Sequence, residues 1–129
     1  MRAVDTNVLV RLVTRDDVRQ ASSADAFIAK GAWVPLLALT EAIWVLAAVY
    51  KRNAKGLAKA VEMFLHHEHL VLQDADAVAG ALDLFRSRPS LGFSDCLMLQ
   101  VARKAGHLPL GAFDRGWGKI EGVQRLSGA

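Results

Sequence analysis

The feature that most constrains this chain is a short apolar run that ends in an acid and gives way at once to helical periodicity. Ala3-Val4 leads to Asp5, Thr6 and Asn7 follow, and Val8, Leu9, Val10, Leu12 and Val13 then recur as on an apolar helix. The pattern predicts a buried strand ending at Asp5, then a helix that Thr6 or Asn7 can cap. Open α/β sheets place their ligands at the carboxyl ends of strands. Asp5 is therefore a candidate site residue, with Thr6 and Asn7 placed to orient its carboxylate. The alternative is that Asp5 is only a capping acid.

The same grammar continues along the chain. Asp17 can cap a helix from about Val18 to Lys30, which places Ala21, Ala24, Phe27 and Ile28 on one face and ends at Gly31. Ala32-Trp33-Val34 reads as a strand before Pro35. A helix from about Leu37 to Tyr50 follows, with Leu37, Leu39, Ile43, Trp44, Val45, Leu46 and Val49 around its axis and Glu41 as its one charge. Such a helix should be buried on nearly every side, where an idle carboxylate is expensive. Glu41 is thus a second candidate. The alternative sets it at the helix start, eased by the dipole and Thr40.

Further helices are expected over Lys55 to His67, Asp74 to Arg88 and Phe93 to Gly106, with a loop over 86–90. Strands are expected at Leu70 to Leu72, at Leu108 to Phe113 leading into Asp114, and at Val123 to Leu126. Ser94 offers an N-cap to the Phe93 helix, Asp95 lies in its first turn, and Cys96 reads as a small buried hydrophobe. Strands alternating with helices argue for a parallel sheet between helical layers.

A length of 129 residues suits one domain spanning 1–129. Hydrophobic residues make up 53%, enough for a core with apolar surface left for an interface, Trp33, Trp44 and Trp117 included. One cysteine rules out an internal disulfide. No signal-peptide pattern opens the chain, so a cytoplasmic location is expected. Pro35 divides the apolar stretch from Ala32 to Tyr50 into pieces too short to span a bilayer, so no membrane partner is expected. A net charge of +3 permits nucleic acid without requiring it. The densest basic cluster, Lys51, Arg52, Lys55 and Lys59, is either a solvated helical face or a phosphate contact. His66-His67-Glu68-His69 lacks the spacing of zinc motifs, and adjacent histidines on a helix point in different directions.

Four acids stand apart by context: Asp5, Glu41, Asp95 and Asp114 each lie at a strand end or helix start beside apolar sequence. Carboxylates gathered at one sheet edge repel one another. A hard divalent cation such as Mg²⁺ relieves that repulsion and can drive phosphodiester hydrolysis.

In order and spacing, Val4-Asp5-Thr6-Asn7-Val8-Leu9-Val10, Leu39-Thr40-Glu41, Phe93-Ser94-Asp95-Cys96-Leu97 and Ala112-Phe113-Asp114-Arg115 resemble the PIN-domain family, in particular the VapC toxins of bacterial toxin–antitoxin pairs. The resemblance implies a PIN-like three-layer α/β/α fold with a short-stranded, mainly parallel central sheet. It implies a Mg²⁺- or Mn²⁺-dependent endoribonuclease acting on RNA, with Asp5, Glu41, Asp95 and Asp114 catalytic. Among these, Asp5, Asp95 and Asp114 would hold the metal, and Thr6, Asn7 and Ser94 would support them. It further implies a homodimer and a groove for a small VapB-like antitoxin protein. Where the family usually has Thr or Ser two residues before its last acid, this chain has Ala112, so one hydroxyl is missing.

Two other functions compete. One is a catalytically weak PIN-like module that binds RNA or protein. The other is phosphoryl transfer through Asp5: the opening also resembles haloacid-dehalogenase-type phosphatases, but these need a second Asp where Asn7 stands.

Overall fold

In the computed structural model, which describes residues 1–128, strands of two or three residues alternate with helices and pair only in parallel. Two compact units divide the chain, Met1–Ala75 and Asp76–Ala129. No helix among the described residues is long and apolar enough to cross a membrane.

The first unit holds β1 (Arg2–Ala3), α1 (Thr6–Thr14), α2 (Val18–Ile28), β2 (Ala32–Val34), α3 (Leu36–Ala48), α4 (Ala54–His66) and β3 (Leu70–Leu72). Its sheet has the order β1-β2-β3, with Ala3 opposite Trp33 and Trp33 opposite Val71. Val4 lies just past β1 but extends the pairing, its N–H donating to the Trp33 carbonyl at 3.0 Å. Alternation along the strands buries Ala32, Val34, Leu70 and Leu72, while Trp33 and Val71 face outward and are exposed. Leu9, Val10, Ile28, Leu39, Leu46, Val61 and Phe64 fill the core of this unit.

Side chains set several helix ends. Asp17 accepts from the Gln20 N–H and starts α2, as expected, and Asn53 starts α4 by accepting from Gly56. Pro35 precedes α3 and offers no side-chain cap; the Leu36 N–H instead donates to Oε1 of Gln73, 2.9 Å away. A polar cluster ties α1, the α1–α2 turn and the end of α3. Arg11 donates to Gln20, to Asp16 at 3.2 Å and to the Tyr50 hydroxyl at 3.1 Å, and Tyr50 donates in turn to Asp16 at 2.9 Å.

The expectation that α3 is buried all round is corrected. Ala38, Leu39, Ala42, Ile43 and Leu46 are buried, but Leu37 and Trp44 are 70% and 67% exposed, and Glu41 lies on that same open side. An apolar sequence allows burial on every side; only a helix with neighbours on every side achieves it.

The second unit holds α5 (from Ala75 at its boundary to Ser87), α6 (Phe93–Ala105), β4 (Leu110–Ala112) and β5 (Val123–Arg125), with 3-10 turns at Pro89–Leu91 and Arg115–Trp117. Strands β4 and β5 form a separate two-stranded parallel sheet. Its core gathers Val78, Phe85, Phe93, Leu99 and Trp117, with Phe85 and Phe93 edge to face at 6.1 Å. Trp117, offered above as surplus apolar surface, is instead core. Cys96 is buried, and burial, then the neighbouring Asp95 charge, pushes its thiol up to about 11. Lys104 near the end of α6 donates to Asp76 in α5 at 2.8 Å.

Candidate active site

Asp5 follows β1 directly and is itself the N-cap of α1. Its Oδ1 accepts the Val8 N–H at 3.1 Å, so neither Thr6 nor Asn7 caps the helix. Thr6 is the first helical residue, and its hydroxyl donates to Oε2 of Glu41 at 2.8 Å. The structure therefore gives Thr6 a different carboxylate from the one expected. Asn7 is exposed on α1 and makes no hydrogen bond to Asp5. Glu41 is the sixth residue of α3, beyond the reach of the first-turn dipole. Asp5 and Glu41 share the wall of a cleft of about 250 Å³ with Val4, Thr6, Pro35, Leu37 and Ala38. A second cleft, about 480 Å³, opens between α1 and α2 and also includes Asp5.

The other two acids lie in the second unit. Asp95 is in the first turn of α6 and half-buried. Burial first, and the charge of Asp114 second, holds its carboxyl above the usual range. Asp114 follows β4 as Asp5 follows β1. Its Oδ1 accepts the Gly116 N–H at 2.8 Å and starts the turn Arg115–Trp117. Ser94 does not cap α6; Gly92, at φ +81°, occupies that position, and Ser94 is exposed one residue into the helix. Ala112 leaves the approach to Asp114 without a hydroxyl.

Each unit thus supplies two of the four acids, and none of the four makes a salt bridge among the described residues. The remaining open oxygens are hard, anionic donors. No three His, Cys, Asp or Glu side chains among the described residues come together as a set able to hold a metal. The His66–His69 segment is no exception: His69 pairs with Glu68 at 3.3 Å and takes its N–H to Nδ1 of His67. Unpaired carboxylates in small numbers suit Mg²⁺ or Mn²⁺. Such ions are held by one or two carboxylates, with water and substrate phosphate completing the shell. The donor chemistry fits a hard divalent cation.

Sequence reasoning missed the partner of Thr6. Hydroxyl and carboxylate are 35 residues apart, and only the packing of α1 on α3 brings them together. It also missed the cleft between α1 and α2, for which neighbouring helices leave no motif.

A comparison with curated proteins found no match. The family model described as "PIN domain" matches residues 2–123, running through both units. The alternating α/β architecture with parallel strands agrees with it. The chain belongs to the PIN domain family, a nuclease-type fold of three α/β/α layers.

Proposed function

We propose that this protein is a metal-dependent endoribonuclease that hydrolyses RNA phosphodiester bonds and serves as the VapC-type toxin of a type II toxin–antitoxin pair. Asp5, Glu41, Asp95 and Asp114 are its acidic residues. Asp5 and Glu41, side by side in one cleft with Thr6 hydrogen-bonded to Glu41, are the observation that carries this reading. By the resemblance to VapC toxins, Asp5, Asp95 and Asp114 would supply the carboxylates for Mg²⁺ or Mn²⁺, one or two at a time, with water and substrate phosphate completing the shell. Such a cation, when bound, supplies Lewis-acid activation of the phosphodiester.

The chain's own groups do the positioning. The Val8 N–H fixes Oδ1 of Asp5 and leaves Oδ2 without a hydrogen bond among the described residues. The Thr6 hydroxyl fixes Oε2 of Glu41, so Oε1 is the oxygen free to accept a proton from an attacking water. Asp95, its carboxyl raised by burial and by Asp114, favours a bound cation that offsets both charges.

The proposal extends to a homodimer in the cytoplasm and to a small VapB-like antitoxin. The resemblance to VapC toxins supports both, and the exposed Leu37 and Trp44 offer apolar surface for association. The test is cleavage of single-stranded or loop RNA by the purified chain with Mg²⁺ or Mn²⁺, and its arrest by EDTA. Glu41→Gln should abolish cutting and Asp83→Asn, exposed on α5, should not. A chain that cuts no RNA with either metal would instead be a binding module.

A further inference from the structure

We infer that the cleft between α1 and α2 is a nucleobase pocket, which takes the base beside the bond to be cut and so sets the sequence preference of the enzyme. The inference rests on the ribonuclease reading and names where that substrate is read. Asp5 belongs to two clefts of the first unit: one it shares with Glu41, the other runs along α2. A phosphodiester held at Asp5 and Glu41 must send its flanking nucleosides away from that point. The α1–α2 cleft is an opening that begins at Asp5 itself.

Its size and chemistry suit a base. A volume of about 480 Å³ lies within the range of about 300–1,000 Å³ that holds small ligands. Val8 and the Phe27 ring provide apolar wall, and every base has a π-face to lay against such surface. Arg2 packs over the Phe27 ring at 3.9 Å and donates to the Phe27 carbonyl, which holds that ring in place.

Polar groups stand around the apolar wall. Gln20 accepts from Arg11, so its amide orientation is fixed and its NH₂ is turned to other acceptors. Arg19 lines the cleft, is exposed, and has no ion-pair partner among the described residues. An unpaired guanidinium beside an apolar slot favours an anionic, planar ligand over an uncharged peptide.

The test reads binding apart from cutting. Wild-type protein is titrated in EDTA, at low salt, with four fluorescent single-stranded hexaribonucleotides, each of one base. Wild type should favour one base over the poorest by roughly 5- to 100-fold, the discrimination that one well-placed side-chain pair to a base edge, such as the Gln20 amide can offer, provides. Ser23→Trp, which fills the cleft and leaves all four acids in the sequence, should bring the four within about twofold of one another. Arg19→Glu should weaken all four together and lower the salt slope by about one. Asp83→Asn is the control.

A preference that survives Ser23→Trp, with affinity unchanged in Arg19→Glu, overturns the inference, and a protein partner becomes the better occupant. Failure of wild type to bind any of the four also overturns it. Metal-dependent cutting with a preference untouched by Ser23→Trp sinks the pocket and leaves the nuclease standing. A preference erased by Ser23→Trp in a chain that cuts no RNA supports the pocket and sinks the nuclease.

Discussion

Asp5 is asked to do two jobs, and two substitutions separate them. As N-cap of α1, its Oδ1 accepts the Val8 N–H at 3.1 Å. As a site acid, its charge faces the cleft it shares with Glu41. Asn ranks level with Asp as a cap, whereas Ala loses the cap bond and costs about 1 kcal/mol. For a chain of this size, that is a fall in Tm of roughly 4 °C. Asp5→Asn should therefore melt at or above wild type in EDTA, because one of two neighbouring negative charges has gone. Asp5→Ala should melt about 4 °C lower. Metal binding reads the second job. Saturating Mn²⁺, at about 100 times its Kd, should stabilise wild type by about 2.7 kcal/mol. Both variants should lose that shift and RNA cleavage with it. The assay is thermal unfolding with and without Mn²⁺, alongside cleavage of one labelled RNA. If Asp5→Asn melts as low as Asp5→Ala in EDTA, the capping geometry is wrong. If it keeps the Mn²⁺ shift and cuts as wild type does, the ligand assignment is wrong.

Thr6→Val keeps shape and removes the hydrogen bond to Glu41, so stability should change by no more than about 1 kcal/mol while cleavage falls on the order of tenfold or more; rescue by Thr6→Ser would confirm the hydroxyl, and full activity in Thr6→Val would refute it. Asp95 is held above the usual carboxylate range by burial and then by Asp114, so its ionised form opposes folding at neutral pH. Asp95→Asn should accordingly raise the apo Tm at pH 7, and the gap should close as pH falls through the raised value and wild-type Asp95 takes up its proton. Asp76 has the opposite sign: the hydrogen bond from Lys104 lowers its pKa, so its stabilising effect is complete above the ordinary carboxylate range and is lost as pH falls through the depressed folded value. Asp76→Asn should melt lower than wild type at pH 7 and converge with it in acid, as pH-dependent unfolding would register. Trp117→Ala removes a large core side chain and should cost about 3–5 kcal/mol in denaturant unfolding, whereas a surface tryptophan would cost little.

Much of the fold was legible because it is written in local patterns. Asp17 before α2, the Gly106 end of α6 and the strands at Ala32–Val34 and Leu70–Leu72 depend on neighbours in sequence, and the structure has them where the residues imply. The repeated strand-then-acid grammar likewise puts Asp5 and Asp114 just past strands, where β1 and β4 end. Other features depend on which surfaces meet. Residues Leu37, Glu41 and Trp44 look buried in a helix so apolar, yet they are exposed, because hydrophobicity gives the tendency to be covered and not the covering neighbour. The Leu36 N–H finds Gln73, and Thr6 finds Glu41, across 37 and 35 residues. Ser94 looks like a cap and is not one, since Gly92 at φ +81° already turns the chain into α6. By itself the sequence determined the elements, their order and the parallel α/β class, because capping and periodicity act over a few residues. Only tertiary structure decided which hydroxyl serves which carboxylate, which tryptophan is core and that a cleft opens beside Asp5, because those outcomes follow from the packing of helices distant in the chain.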